Sequence, residues 1–348
     1  MSRRLTWVDA LRGLAALLVL AQHALERLQP GFRDWTGRHL QVGQLGVTVF
    51  FLVSGLVVPG SLERAGGLRS FWASRFFRLW PAYWVSLAGV LLVHQLGRHP
   101  YPPDVRHSLT GTYLANLTMG QAYLHRPDLL GVYWTLAFEL AFYAALTAVW
   151  LLGLTGRSTA LAVLACGGAV GLSALGRLTD HHVPLGVANL ATMFVGTVMW
   201  RWRSGEVSTR TAWSVFALGA AAGQLVLALQ LAGRGVDSTT GDPAGWAAFA
   251  AAWLLAYLLV AGGLLLPDLP WPRALVSVGL WSYALYLFHP LVFDILRDAP
   301  GPALVVAGQW CAGAVLLAAV VHHVVERPAI RLGRDVTARR RAPAPSQG

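Results

Sequence analysis

The sequence contains no lysine; its 27 basic side chains are all arginine, set against 16 acidic ones. Charged residues fill only 12% of the 348 positions, about half the roughly 25% of an ordinary soluble domain, which excludes a water-soluble globule of this size. Cysteine is almost missing, and Cys166 and Cys311 stand too far apart in sequence, each inside its own apolar run, to suggest a disulfide framework or a cysteine metal site. The eleven histidines lack zinc-like spacing, and no metal is expected. There is no internal repeat and no Pro- or Ser-rich linker. One domain over 1–335 is expected, followed by a basic, Pro-rich, disordered tail over 336–348.

Hydrophobic residues make up 55% of the chain, arranged in runs long enough to cross a bilayer, which takes about 20 residues. Ten such runs lie near 11–28, 42–60, 79–96, 129–152, 159–176, 184–200, 211–232, 244–266, 275–296 and 302–325. The expected fold is therefore an all-α integral membrane protein with about ten transmembrane helices. If the N-terminus is cytoplasmic, the inside segments hold 17 arginines, among them Arg3, Arg4, Arg64, Arg69, Arg75, Arg78 and the six from Arg327 to Arg341, and the outside segments nine. That asymmetry predicts both termini in the cytoplasm and makes a nucleic-acid reading of the +11 charge unnecessary. Aromatic residues interleave with Arg69, Arg75 and Arg78 in GGLRSFWASRFFRLWPAYW, which predicts a helix lying in the interface, with Pro81 opening the third span.

Ionisable groups inside lipid face a bundle interior or a wet cavity and are functional candidates. Arg12 and His23 are eleven positions apart in the first run, on nearly one helical face and roughly 16 Å apart along the axis. Imidazole takes and returns protons near neutral pH, and Glu26, one turn on, is placed to hold its other nitrogen. Arg12 also has the plainer reading of a side chain snorkelling to the interface, and Glu26 that of a solvated residue. Ser54 sits beside small residues in the second run, a pattern that equally suits close helix packing. Arg75 and Arg78, three apart, are able to fork around phosphate oxygens or to anchor in lipid headgroups. Glu139 falls near mid-bilayer, where a carboxylate must be paired, protonated or wetted. Tyr286 and His289 fall within the ninth run, and His289 precedes Pro290, a kink signal.

Six blocks in order, DALRGLAALLVLAQH, GVTVFFLVSGLVV, RFFRLWPAYW, WTLAFELAFY, SYALYLFHP and ERPAIRL, resemble those of the acyltransferase family 3 membrane O-acyltransferases. Thr135 stands after Trp134 where that family usually has serine. The resemblance implies a ten-span protein of the bacterial inner membrane and an acyl-CoA donor, most often acetyl-CoA. It implies as acceptor a hydroxyl of a surface or lipid-linked glycan, or in some members of a macrolide. Carried over by motif, His23 and Glu139 are catalytic, and Arg12, Arg75 and Arg78 hold the donor. Glu26, Ser54, Trp134, Tyr286 and His289 support the site. No extracytoplasmic domain is expected, so the chain completes the transfer itself or passes the acyl group to a separate partner. A proton-coupled transporter is the rival class, since buried Arg, Glu and His residues also build proton relays. A catalytically dead scaffold is the third.

Overall fold

The computed structural model describes residues 5–339 except 102, 107, 182 and 232–242. Arg3, Arg4, His107, His182 and the tail from 340 onward lie outside the described residues. Helices dominate: α1 (Thr6–Leu28), α2 (Phe32–Arg38), α3 (Val42–Ala65), α4 (Leu68–Gln95), α5 (Pro103–Arg106), α6 (Leu109–Leu117) and α7 (Trp134–Leu151) form the first half. The second half holds α8 (Ser158–Thr179), α9 (Gly186–Arg203), α10 (Thr209–Leu231), α11 (Pro243–Leu265), α12 (Arg273–Ile295), α13 (Ala303–Val321) and α14 (Arg327–Arg339). No strand occurs among the described residues.

Nine helical segments among them are long and apolar enough to cross a membrane; this is a multi-pass membrane protein. The expected span missing from these nine is the sixth, α9, whose Asn189, Thr192, Thr197 and terminal arginines lower its hydropathy. Polar groups are tolerated there because α9 is wrapped by α3, α8 and α10 instead of facing lipid. By contrast α8 keeps Leu164, Leu172 and Leu178 exposed, as a lipid-facing helix does.

The interface helix expected before Pro81 is not separate. α4 runs unbroken from Leu68 to Gln95 with Pro81 inside it. Proline deprives the Phe77 carbonyl of its usual donor, a loss that helices in lipid absorb through neighbouring side chains. The Tyr283 hydroxyl donates to the Leu79 carbonyl at 3.0 Å close to this point.

Two glycines set the central crossing. A Cβ on Gly13 would lie 2.2 Å from the Leu275 carbonyl oxygen, and one on Gly279 would lie 1.7 Å from that of Asp9. Only hydrogen at both positions lets α1 and α12 touch backbone to backbone. The helices run in the same direction, so ten residues beyond these glycines come His23 and His289, one on each helix.

Candidate active site

The two imidazoles meet. His23 Nδ1 lies 2.9 Å from His289 Nε2, and the rings stack with centroids 5.2 Å apart. The other nitrogen of His289, Nδ1, is 3.1 Å from the Leu285 carbonyl oxygen. That carbonyl is one residue before the carbonyl of Tyr286, which Pro290 leaves without its i+4 donor. A carbonyl only accepts, so His289 Nδ1 carries the hydrogen and, in the neutral ring, Nε2 accepts from His23 Nδ1–H. His23 Nε2 keeps its lone pair. This assignment follows from the hydrogen-bond partners, and it equips His23 to take a proton or attack a carbonyl.

His289 is 1% exposed, whereas His23 is half-buried; both line a cavity of about 520 Å³ with Gln22, Glu26, Gln44 and Trp134 in its walls. The ends of α1 and α12 are tied above it by Asp294, which pairs with Arg27 at 2.7 Å and with His99 at 2.8 Å.

The partner of His23 is thus His289 and not Glu26. Glu26 accepts from Gln22 Nε2 at 2.6 Å and from Thr36 Oγ1 at 3.4 Å, because its position one turn on places it in the cavity wall. Tyr286, a supporting residue by motif, donates its hydroxyl proton to the Val132 carbonyl at 2.8 Å and accepts from Thr135 at 3.0 Å. Its hydrogen is already committed.

Below this cavity the bundle narrows to a waist of about 70 Å³ lined by Arg12, Ser54, Arg78, Glu139 and Tyr283. Val47 and Tyr286 belong to both walls. Glu139 accepts from the Tyr143 hydroxyl and lies in the waist, not in the wall of the His23 cavity. Arg12 does not snorkel to lipid; its guanidinium, with that of Arg78, lines both the waist and a basin of about 690 Å³ at the start of α1. Basin, waist and cavity share wall residues in succession, Arg12, Arg78 and Tyr283 at one joint and Val47 and Tyr286 at the next. Arg75 lines a neighbouring basin of about 560 Å³, its Nη2 donating to Ser61 at 2.8 Å. Its guanidinium sits over the Phe71 and Tyr143 rings.

The acyltransferase domain model of acyltransferase family 3 matches residues 5–322. The chain belongs to this family. Nodulation protein 10 of Rhizobium leguminosarum bv. viciae is 28% identical over 95% of this chain and 95% of its own length. Acyltransferase MdmB of Streptomyces mycarofaciens is 28% identical, covering 94% and 92%. Exopolysaccharide production protein ExoZ of Rhizobium meliloti is 28% identical, covering 86% and 93%. No solved structure matches. The membership decides between the two active classes left open by the buried charges: this is a membrane O-acyltransferase and not a transporter.

Residues that the sequence did not single out also line the larger basin. A π-helical turn, His322–Glu326, joins α13 to α14 and carries Glu326 into the wall of the larger basin. Glu326 is 4% exposed, accepts from or pairs with His322 Nδ1 at 2.6 Å through Oε2, and leaves Oε1 without a protein partner. From α14 come Arg327, Arg331 and Arg334. Their spacing of four and three is that of one helical face, a signal visible in ERPAIRLGR but hidden when these arginines are counted only as topological charge.

Proposed function

We propose that this enzyme moves an acyl group, most often acetyl, from cytoplasmic acyl-CoA to a hydroxyl of a glycan presented at the opposite face of the bacterial inner membrane. The observation carrying this reading is the succession of basin, waist and cavity, each sharing wall residues with the next, from the arginines to His23. The arginine-lined end is cytoplasmic by the positive-inside rule. There Arg12, Arg78 and the α14 arginines hold the donor's diphosphate through forked, charge-assisted bonds. The extended thioester arm passes the waist, which is too small for a nucleotide or a sugar. From Arg12 to His23 it spans roughly 16 Å. The acceptor occupies the cavity of about 520 Å³, where amide side chains and the Trp134 ring suit a polar, flat-faced sugar. A glycan acceptor also agrees with the exopolysaccharide production relative.

His23 Nε2 takes the proton of the acceptor hydroxyl as its oxygen attacks the thioester carbonyl. The resulting imidazolium is held by its Nδ1–H bond to His289. The carbon–sulfur bond then breaks, and the proton passes from His23 to the leaving thiolate, giving an ester and a free thiol. Glu139 balances the charge of Arg12 and Arg78 in the waist and takes no proton in this scheme.

The test uses purified protein in lipid nanodiscs with labelled acetyl-CoA and bacterial cell-envelope polysaccharide, reading base-labile label on the glycan. His23→Ala is expected to lower the rate by about 10²–10⁴-fold, the usual worth of a general base. Transfer at the wild-type rate by an equally well folded His23→Ala protein would falsify the scheme.

A further inference from the structure

Glu26 takes no part in the proton transfers, yet its surroundings hold it in one place. Gln22, buried beside it, accepts from the Gly43 N–H through Oε1 at 2.6 Å. A backbone N–H only donates, so this bond fixes which way the amide is turned. Its Nε2 hydrogens therefore face Glu26 Oε1 at 2.6 Å and Gln41 Oε1 at 3.3 Å. A Cβ on Gly43 would lie 3.1 Å from Gln22 Oε1, so glycine there gives the amide room to reach the first turn of α3. One carboxylate oxygen is thus anchored by a side chain that is itself anchored on a second helix.

The other oxygen, Glu26 Oε2, makes no hydrogen bond to a described residue, and Glu26 lines the cavity that holds His23. Three positions separate the two side chains, which makes them neighbours on one face of α1, about 5–6 Å apart at Cβ. α1 runs from Arg12 in the waist past His23, and Glu26 lies about 4.5 Å further along the axis. It therefore stands on the side of His23 away from the waist, where the acceptor and not the donor is placed. An ionised carboxylate accepts and never donates, so an anionic ligand is the wrong partner and an uncharged O–H group the right one. When one hydroxyl of a sugar ring meets His23 Nε2, another hydroxyl of the same ring is at hand for Glu26.

We propose that Glu26 Oε2 accepts a hydrogen bond from a second hydroxyl of the acceptor and so selects which hydroxyl is acylated. The inference rests on the proposed function: the reacting hydroxyl still gives its proton to His23, and the hydroxyl on Glu26 keeps its own. It narrows the acceptor to a sugar with two free hydroxyls on one ring. An isolated alcohol lacks the second contact, and a ring with a carboxylate at the second position is repelled by Glu26.

The test compares wild type with Glu26→Gln in nanodiscs, using labelled acetyl-CoA and bacterial cell-envelope polysaccharide. Glutamine keeps an oxygen for Gln22 Nε2 but presents an amide NH2 to the cavity, and equal melting temperatures check that the fold is kept. The KM for polysaccharide is expected to rise at least about tenfold, the usual worth of a hydrogen bond to a charged group, while the KM for acetyl-CoA stays. NMR of the product shows one acetylated hydroxyl per repeat unit with wild type and several with Glu26→Gln. A purely structural carboxylate would instead lower kcat or stability without moving the site of acetylation. A polysaccharide KM within twofold of wild type, or an acetylation pattern that Glu26→Gln leaves unchanged, overturns the inference. So does a wild type that acetylates several hydroxyls of the repeat unit alike, a result independent of any variant. Absence of label on the polysaccharide with wild type sinks the proposed function, and this inference with it.

Discussion

Replacing His289 by phenylalanine tests whether two stacked rings form a working pair. Phenylalanine keeps the flat ring that packs between Tyr286 and Phe293, 6.2 and 5.5 Å away by centroid. It removes the Nε2 acceptor 2.9 Å from His23 and the Nδ1 donor to Leu285. His23 Nδ1–H is then left without its acceptor inside the bundle, at a cost of about 1–3 kcal/mol. The ring escapes by turning or by changing tautomer, and either move takes the Nε2 lone pair from the cavity. At 1.36 kcal/mol per factor of ten, kcat falls roughly 5- to 160-fold, with the donor KM unchanged because no arginine is touched. The tautomer-fixing carboxylate of serine proteases, worth about 10⁴ when replaced by an amide, sets an upper bound. His289→Gln, whose amide oxygen accepts from His23, recovers part of the rate. The decisive assay is a double-mutant cycle at saturating donor and acceptor, because groups that act as a unit do not add. His23→Ala with His289→Phe is no slower than His23→Ala alone. If the two losses multiply instead, or if His289→Phe alone stays within twofold of wild type, the relay reasoning fails.

Gly279→Leu inserts a side chain whose Cβ would lie 1.7 Å from the Asp9 carbonyl oxygen. Prising α1 from α12 costs at least about 1–3 kcal/mol, so the nanodisc melting temperature drops and acyl transfer falls with it. A wild-type melting curve with full activity would show that this crossing does not set the histidine pair. Asp128, in the loop between α6 and α7, is held above the usual carboxylate range by burial, partly offset by the hydrogen bond from Gln121 at 2.7 Å. A raised folded-state pKa gives stability that is present in acid and lost as the pH rises through that value. Asp128→Asn, permanently neutral and still able to accept from Gln121, therefore melts higher than wild type at neutral pH. The gap closes below about pH 4, where the wild-type carboxyl is protonated in both states. A lower melting temperature for Asp128→Asn at pH 7 would contradict the sign.

The spans were legible because a bilayer imposes a length and a hydrophobicity on each crossing. Even α9, with buried Asn189 and Thr192, stood out by its flanks. Arg12 and Glu139 were legible as intramembrane charges, and the waist gathers them with Arg78, whose place in the sequence suggested an inside segment. What the chain order hides is pairing across distance. His23 and His289 are 266 positions apart, and their meeting depends on a parallel crossing at Gly13 and Gly279 that no local pattern encodes. Glu26 drew attention only because it is one turn away. The unbroken passage of α4 through Pro81 was equally hidden, since Tyr283, which bonds the nearby Leu79 carbonyl, comes from another helix. The α14 arginines carried a helical spacing, but the basin they line forms only where α14 packs against α4, with Gly333 against Phe77.

An energised membrane cannot host an open bore, yet on the proposed function two substrates arrive from opposite compartments and need a way to meet. At about 70 Å³, with two guanidinium groups in its wall, the constriction reconciles these demands. So small a volume leaves no room for a column of bulk water, and two guanidinium groups against the single Glu139 carboxylate disfavour cations. On that reading, the constriction that keeps each substrate on its own side also limits the leak of protons across the membrane.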